Sequence, residues 1–448
     1  YLQAFSVGDN LVYGLKHRPV VAHEYDGEEA TRAELEKGEA DVTGNSPHDY
    51  NADWIDYAAA GVSGREEMME RVNELLSMVD LSEDVYQMGL RGTIDPTRRG
   101  DIADRIMSAR RLLRDRLSEP EIAPLIEPFD QSRFNTNATV AENILFGLPA
   151  DDSFDLEKLA EHPYMRQVLD TVGLSDDFLT MGQNVAQTMV ELFADLPPGH
   201  EFFEQFSFID SEDLPDYQTL LGRAARGVEG LTEEDRLRLE SLPFMLSPAR
   251  HRLDLIDERM MERILEAREV FARDLPETLR DKIAFFDVDA YNPSASLQDN
   301  ILFGKLAYGQ AQSAAKMGAV IGDVIDSLEL RQTVITVGLD FPAGIGGARL
   351  SQAQRQKLAI ARAVIKDPKL LILNEAGVSL DQSSQVKILE NLLKLRQGKG
   401  LVWVLNRIGD AKSFNEIIVM KDGRVAQSGS FDDLSSKDGE FKTLLDEG

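Results

Sequence analysis

Polar and apolar positions along the chain change rhythm near residue 282. Between about 101 and 282, charged and apolar residues alternate at three- and four-residue spacing. DIADRIMSARRLLRDRL (Asp101–Leu117) and LIDERMMERILEAREVFARDL (Leu255–Leu275) are examples, and the period predicts a largely helical region. Thr232 followed by Asp235 predicts a capped helix start in LTEEDRLRLESL. After 282 the pattern changes. Leu370–Leu373 is a short continuous apolar run ending in polar residues, which suits a buried parallel strand presenting side chains at its C-terminal end. Leu401–Arg407 reads as a second strand, and Glu416–Gly429 as a pair of strands joined at a Lys-Asp-Gly-Arg turn. An amphipathic helix between the first two strands, ended by Gly398 and Gly400, gives strand–helix–strand order and hence an α/β layer. Ahead of them, Ser351 as N-cap and Gln354 as its partner predict a helix running to about Lys366.

Two stretches break these patterns. His23–Asp53 is acidic, glycine-containing and aperiodic, and reads as a solvated loop or a disordered insertion. His23 and His48 lie in it among carboxylates, without the HExxH or comparable spacing of a metal site. Asp195–Phe208 clusters four Phe around a turn and reads as a packing patch, with a partner-binding patch as the alternative.

The chain also repeats itself. SVGDNLVYGL (Ser6–Leu15), TVAENILFGL (Thr139–Leu148) and SLQDNILFGK (Ser296–Lys305) share an acidic–Asn–apolar–apolar–aromatic–Gly pattern. Leu81, Leu174 and Leu330 each stand eight residues before Gly89, Gly182 and Gly338. The distance from Asn143 to Gly182 is 39 residues and from Asn300 to Gly338 it is 38, so two landmarks hold register. Asn10 to Gly89 is 79 because the acidic stretch intervenes.

Composition sharpens the division. The 448 residues are 43% hydrophobic, enough to bury a sizeable core, and carry a formal net charge of −30. Residues 283–448 hold 19 Lys and Arg against 20 Asp and Glu, and residues 1–282 hold 29 against 58. The expected organisation is therefore an acidic, mainly helical region 1–282 with degenerate repeats (1–142 and 143–282), then an α/β region 283–448. The charge argues against binding to a phosphate backbone, so no nucleic-acid partner is expected. Cysteine is absent, which excludes disulfides and thiolate-bound metal. No apolar run approaches the ~18–20 residues needed to cross a bilayer.

Residues 283–448 resemble the nucleotide-binding domain of the ABC transporter family from its glutamine loop onward. LSQAQRQKLAIARAVIKDP resembles the signature and its helix, LLILNEA the Walker B strand, VSLD the loop after it, VWVLNR the switch strand and DNILFGK the segment after the glutamine loop. The five occur in the family's order, and Asn300 lies 50 residues before Leu350 as that spacing implies. The resemblance implies a P-loop-type α/β fold, ATP and Mg2+ as ligands, a second nucleotide-binding domain and a transmembrane domain or subunit as partners, and a place at the cytoplasmic face of the membrane. By position, Glu375 would be the general base that polarises the attacking water. Ser351, with the N–H groups of Gln352 and Ala353 after it, would hold the γ-phosphate, Gln354 would support the helix, and Asp381 would connect the two facing domains.

The departures are specific. Asn374 stands where an aspartate would hold magnesium, and Asn406 where a histidine would contact the γ-phosphate. Gln352 and Ala353 replace two glycines, and Val288 or Asp289 falls where the glutamine would be. The phosphate-gripping GxxxxGK[ST] is absent from all 448 residues, and the expectation is that it lies upstream of Tyr1. These features imply the ATP-binding and hydrolysing module of a membrane transporter, active only with a Walker A loop that this chain lacks. The alternatives are a degenerate module that binds nucleotide without turnover, and a soluble, non-transport ABC ATPase.

Overall fold

A computed structural model describes residues 5–18, 25, 27–46, 48–49, 52–193, 196, 209–227, 230–405 and 407–447. His23, Asn406 and the four phenylalanines between 202 and 208 lie outside the described residues. The chain packs as two compact units, residues 1–89 with 335–448, and residues 90–334. Region 283–448 is thus cut at 334, and its first part packs with residues 90–282. Charge sits on exposed faces while packing follows buried side chains, so the charge shift at 282 is not where the contacts divide.

The 90–334 unit contains a duplication. Strands β1 (Ile126–Pro128) and β2 (Gly147–Pro149) flank one copy of the Asn motif, and β3 (Ile283–Phe285) and β4 (Gly304–Leu306) flank another. β1 pairs antiparallel with β4 and β2 with β3, so each copy completes the other's ribbon. The intervening helical turns Val140–Leu145 and Leu297–Leu302 are N-capped by Thr139 and Ser296 and stop at Phe146 and Phe303, both left-handed (φ 42° and 43°). A β-carbon makes that conformation costly, and packing offsets the strain. Phe129 stacks on Phe286 with centroids 4.1 Å apart, and Phe146 and Phe303 stand edge-on to that pair.

One buried arginine closes each copy. Arg268, on the helix Glu258–Asp274, donates to the Asn143 carbonyl (2.6 Å), the Asn143 side-chain oxygen (2.9 Å) and the carbonyls of Asp130, Gln131 and Arg133. Arg110, on the helix Gly100–Arg116, makes the same set to Asn300 (2.6 and 2.9 Å) and to Asp287, Val288 and Ala290. Each guanidinium lies 4.5 Å from a ring centroid, Phe146 or Phe303. Three nitrogens in a fixed plane reach five oxygens of a loop and helix end, Nη1 being shared among three carbonyls, which lysine cannot do. Burial pushes both guanidinium pKa values down to about 10.

The second landmark recurs equally. Asp80, Gly173 and Glu329 are all left-handed (φ 58°, 68° and 52°). The leucine after each is buried and donates its N–H back to Leu76, Leu169 or Ile325 at 2.8 Å, ending one helix and starting the next. At Gly182 and Gly338, helices cross so closely that a β-carbon would meet the Leu239 carbonyl oxygen at 2.0 Å or that of Val85 at 1.9 Å. Glycine is required at both crossings.

In the other unit, β5 (Leu370–Asn374) and β6 (Gly400–Val404) run parallel, and β7 (Ile417–Lys421) and β8 (Arg424–Gly429) form the hairpin expected at Lys-Asp-Gly-Arg. Asp422 and Gly423 are both left-handed, as a two-residue turn demands. The helices Gln352–Val364 and Gln382–Leu395 both pack on the helix Arg65–Met78. Leu371 and Leu373 face this layer and are buried, whereas Leu370 and Ile372, on the opposite face of the strand, are 53% and 63% exposed. The acidic insertion departs from expectation: Gly27–Thr43 is a helix with no buried residue described. Its Ala, Glu, Lys and Leu are strong helix formers, and propensity rather than an apolar stripe accounts for it. Among the described residues no helix is long and apolar enough to cross a membrane.

Candidate functional site

The site lies where two helices and β5 begin or end in the 1–89 and 335–448 unit. Ser351 is the N-cap of the Gln352–Val364 helix, accepting from the Gln354 N–H at 3.1 Å, while the Gln354 side-chain oxygen accepts from the Ser351 N–H at 2.9 Å. The predicted capping box is thus present, and Ser351 and Gln352 are exposed. Gly344, Gly346 and Gly347, all left-handed, form the turn that leads in. A 13-residue helix with its first N–H groups outward presents a positive end to solvent.

Asn374 closes β5 on its exposed face, and Glu375 follows in the left-handed region (φ 51°) with its side chain exposed. The loop after it is tied back by Gln356, which donates to the Glu375 carbonyl (3.2 Å) and accepts from the Ser379 N–H (2.9 Å). Gln356 therefore fixes the strand end against the capped helix. Asp381 caps the Gln382–Leu395 helix, accepting from the Ser383 hydroxyl (2.6 Å) and the Ser384 N–H (3.0 Å). Those hydrogen bonds hold its carboxyl well below the usual carboxylate range.

The two helix starts share one anchor. Lys357 donates to the Asp80 carbonyl (2.7 Å) and lies 3.3 Å from its carboxylate, the Ser384 hydroxyl donates to that carboxylate at 3.1 Å, and Lys387 also binds it. One turn on, Asp84 accepts from the Gln354 side-chain amide at 2.8 Å, which points that amide's oxygen at Ser351. Ser351, Glu375 and Asp381 are thus linked through Gln354, Gln356 and the Asp80–Asp84 pair. Sequence reasoning singled out neither Gln356, Lys357 nor the two aspartates. Asp80 does precede the repeated Leu81 landmark, and that was the available signal. Asn406 lies outside the described residues, and Gln352 and Ala353 form no hydrogen bond with the other site side chains among the described contacts.

Among the described residues no three of His, Cys, Asp or Glu are grouped as metal ligands. At the end of β5 the chain offers one amide and one carboxylate. A hard cation such as Mg2+ would take most of its six oxygens there from phosphates and water.

Residues 257–378 match the family model described as ABC transporter. That stretch is similar to the ABC transporter family. The ABC region is homologous to the ATP-binding domains of exporter ATP-binding/permease proteins. It is 31% identical over 164 residues to the heterocyst differentiation ATP-binding protein HepA of Nostoc, covering 37% of this chain and 26% of that protein. It is 32% identical over 169 residues to the beta-(1→2)glucan export ATP-binding/permease protein NdvA of Rhizobium johnstonii, with 38% and 28% covered. The glutathione/L-cysteine transport system ATP-binding/permease protein CydD of Escherichia coli is 33% identical over 175 residues, with 39% and 29% covered. The chain therefore spans under a third of the length of these relatives. A bacterial Atm1-family ABC exporter with ATP bound shares 29% identity over 30% of this chain and 22% of its own, with a TM-score of 0.24.

Proposed function

We propose that the ABC region is the signature and Walker B half of an ATP-binding module that couples ATP hydrolysis to transport across a membrane. The supporting observation is the linked set of Ser351, Glu375 and Asp381, each at the end of an element and each side chain reaching solvent or a helix start. In this reading Ser351 and the N–H groups of Gln352 and Ala353 meet the γ-phosphate, and Glu375 orients and polarises the attacking water. Asn374 accepts from magnesium-bound water, and Asn406 hydrogen-bonds near the terminal phosphate. Phosphoryl transfer needs positioning and charge stabilisation more than covalent chemistry, which suits groups fixed by caps and backbone bonds.

The reading assigns the missing phosphate grip to a Walker A loop outside these residues, and its partners are a second nucleotide-binding domain and a transmembrane domain at the cytoplasmic face. The open face of β5 and β6, where Leu370, Ile372, Val402 and Val404 are exposed, supports completion by a further layer. The repeated segments before it are read as worn copies of the same helical subdomain.

The test is magnesium-dependent ATP hydrolysis by the full-length gene product beside its Glu375→Gln variant. Turnover that the variant loses, by about a hundredfold or more, supports the reading. Bound ATP without turnover in either protein instead favours the second reading, a nucleotide-sensing module, for which Asn374 and Asn406 are the observations.

A further inference from the structure

The two helices that close the Asn motifs carry a second arginine five positions before Arg268 and Arg110, and the Gln352–Val364 helix uses Lys357 in the same way. Arg263 donates to the carbonyl of left-handed Gly173 (2.5 Å), Arg105 to that of Glu329 (3.0 Å), and Lys357 to that of Asp80 (2.7 Å). Chain order is not followed. The Gly100–Arg116 helix comes after the first landmark but grips the third, and the Gln352–Val364 helix comes after the third but grips the first. Residues 65–89 are therefore built into the same unit as 335–448 rather than being a spare copy.

The first landmark also differs in what it offers. Gly173 has no side chain, and the contacts made at the Glu329 turn go to its carbonyl. Asp80 adds a carboxylate that takes Lys357 from one helix, and Ser384 and Lys387 from the other. Lys357 is only 10% exposed at its side chain, so it has little water to fall back on. Burial pushes the Asp80 carboxyl up, but the bonds from Lys387, Lys357 and Ser384 outweigh it and keep the group below the usual carboxylate range.

We propose that Asp80 is a positioning residue for the nucleotide site, holding the starts of the Ser351 and Asp381 helices in fixed register across some 270–300 residues of chain. The inference rests on the ATPase reading for its functional consequence but not for its geometry. It gives the otherwise unassigned first landmark a role in the same site.

The experiment compares Asp80→Asn, Lys387→Met and Glu329→Gln in the full-length protein, by hydrogen–deuterium exchange and by ATP hydrolysis. Asparagine tolerates the left-handed conformation, so the backbone survives the first change. Lys387 is half-exposed, which keeps the second variant folded. Asp80→Asn is expected to speed amide exchange at 351–357 and 381–387 by about tenfold, with Lys387→Met acting on 381–387 alone. It is also expected to lower kcat about tenfold with KM for ATP little changed. Unchanged exchange at both helix starts overturns the proposal, as does Glu329→Gln loosening them in place of Asp80→Asn, the result expected if the helices paired in chain order. An active protein whose kcat survives Asp80→Asn overturns it too. An inactive wild type that shows the two local exchange shifts upholds the positioning and removes the ATPase reading instead.

Discussion

Both units use a helix whose basic side chain grips a left-handed turn, and what surrounds it differs. In the 90–334 unit the Arg110 and Arg268 helices close two copies of one motif against each other, with four phenylalanines between them. The two guanidinium groups there are spent on buried carbonyls and on the Asn143 and Asn300 side chains. In the other unit the corresponding helix is followed by a parallel strand pair with one apolar face exposed, and its capping groups reach solvent. The duplicated unit is closed on itself, while the unit proposed to carry the chemistry has an apolar strand face exposed. Repetition of a scaffold thus preserves packing residues readily, and the proposed function rests on the few positions where the copies differ.

The largest effect should come from breaking a closed copy. Arg268→Ala leaves the Asn143 oxygens and three loop carbonyls without their donor in a buried place, and should cost about 3–5 kcal/mol. Arg110→Ala, with the same bonds to Asn300, should cost the same within about 1 kcal/mol, read from urea unfolding of each variant. A cost at one arginine but not the other would dissolve the equivalence of the two copies. Arg→Lys should recover less than half at either site, because one ammonium cannot span five oxygens.

Next come the helix crossings, one in each unit. Gly182→Ala and Gly338→Ala each force a methyl into a backbone carbonyl at about 2 Å, and should cost about 3 kcal/mol. Gly222→Ala, in the helix Leu214–Ala224 with nothing within 4 Å, should instead gain about 0.5–1 kcal/mol. Thermal unfolding separates the three. Equal tolerance at all three glycines would mean that the crossings are looser than the repeat requires.

These sites show what could be read from sequence and what could not. The Asn and Leu–Gly landmarks were legible because each answers a local demand: an amide that bonds across its own turn, a left-handed residue ahead of a buried leucine, a glycine at a crossing. Ser351 with Gln354, Thr232 with Asp235 and the Asp422–Gly423 turn were legible for the same reason. The pairing of helices with landmarks was not, since Arg105 could grip either turn as far as spacing goes. Asp80 and Asp84 looked like two more charges in an acidic stretch, and only their long-range partners distinguish them. Charge suggested a boundary at 282 because it reports surface, whereas Arg110 binds residues 287–300 through a buried network that net charge does not register.

The smallest effect gives the finest comparison, because both units contain a capping box. Thr232 accepts from the Asp235 N–H at 3.1 Å, much as Ser351 accepts from that of Gln354. Thr232→Ala and Ser351→Ala should each lower stability by about 1 kcal/mol. Aspartate caps as well as serine does, so Thr232→Asp and Ser351→Asp should restore that stability to within about 0.5 kcal/mol. Only at 351 does the new charge face the place proposed for a terminal phosphate, where it repels rather than accommodates. Ser351→Asp should therefore fold like the wild type and lose ATP hydrolysis, while Thr232→Asp loses neither. Hydrolysis that survives Ser351→Asp in a full-length protein that otherwise turns over would make Ser351 a helix cap and nothing more, and the two capping boxes equivalent after all.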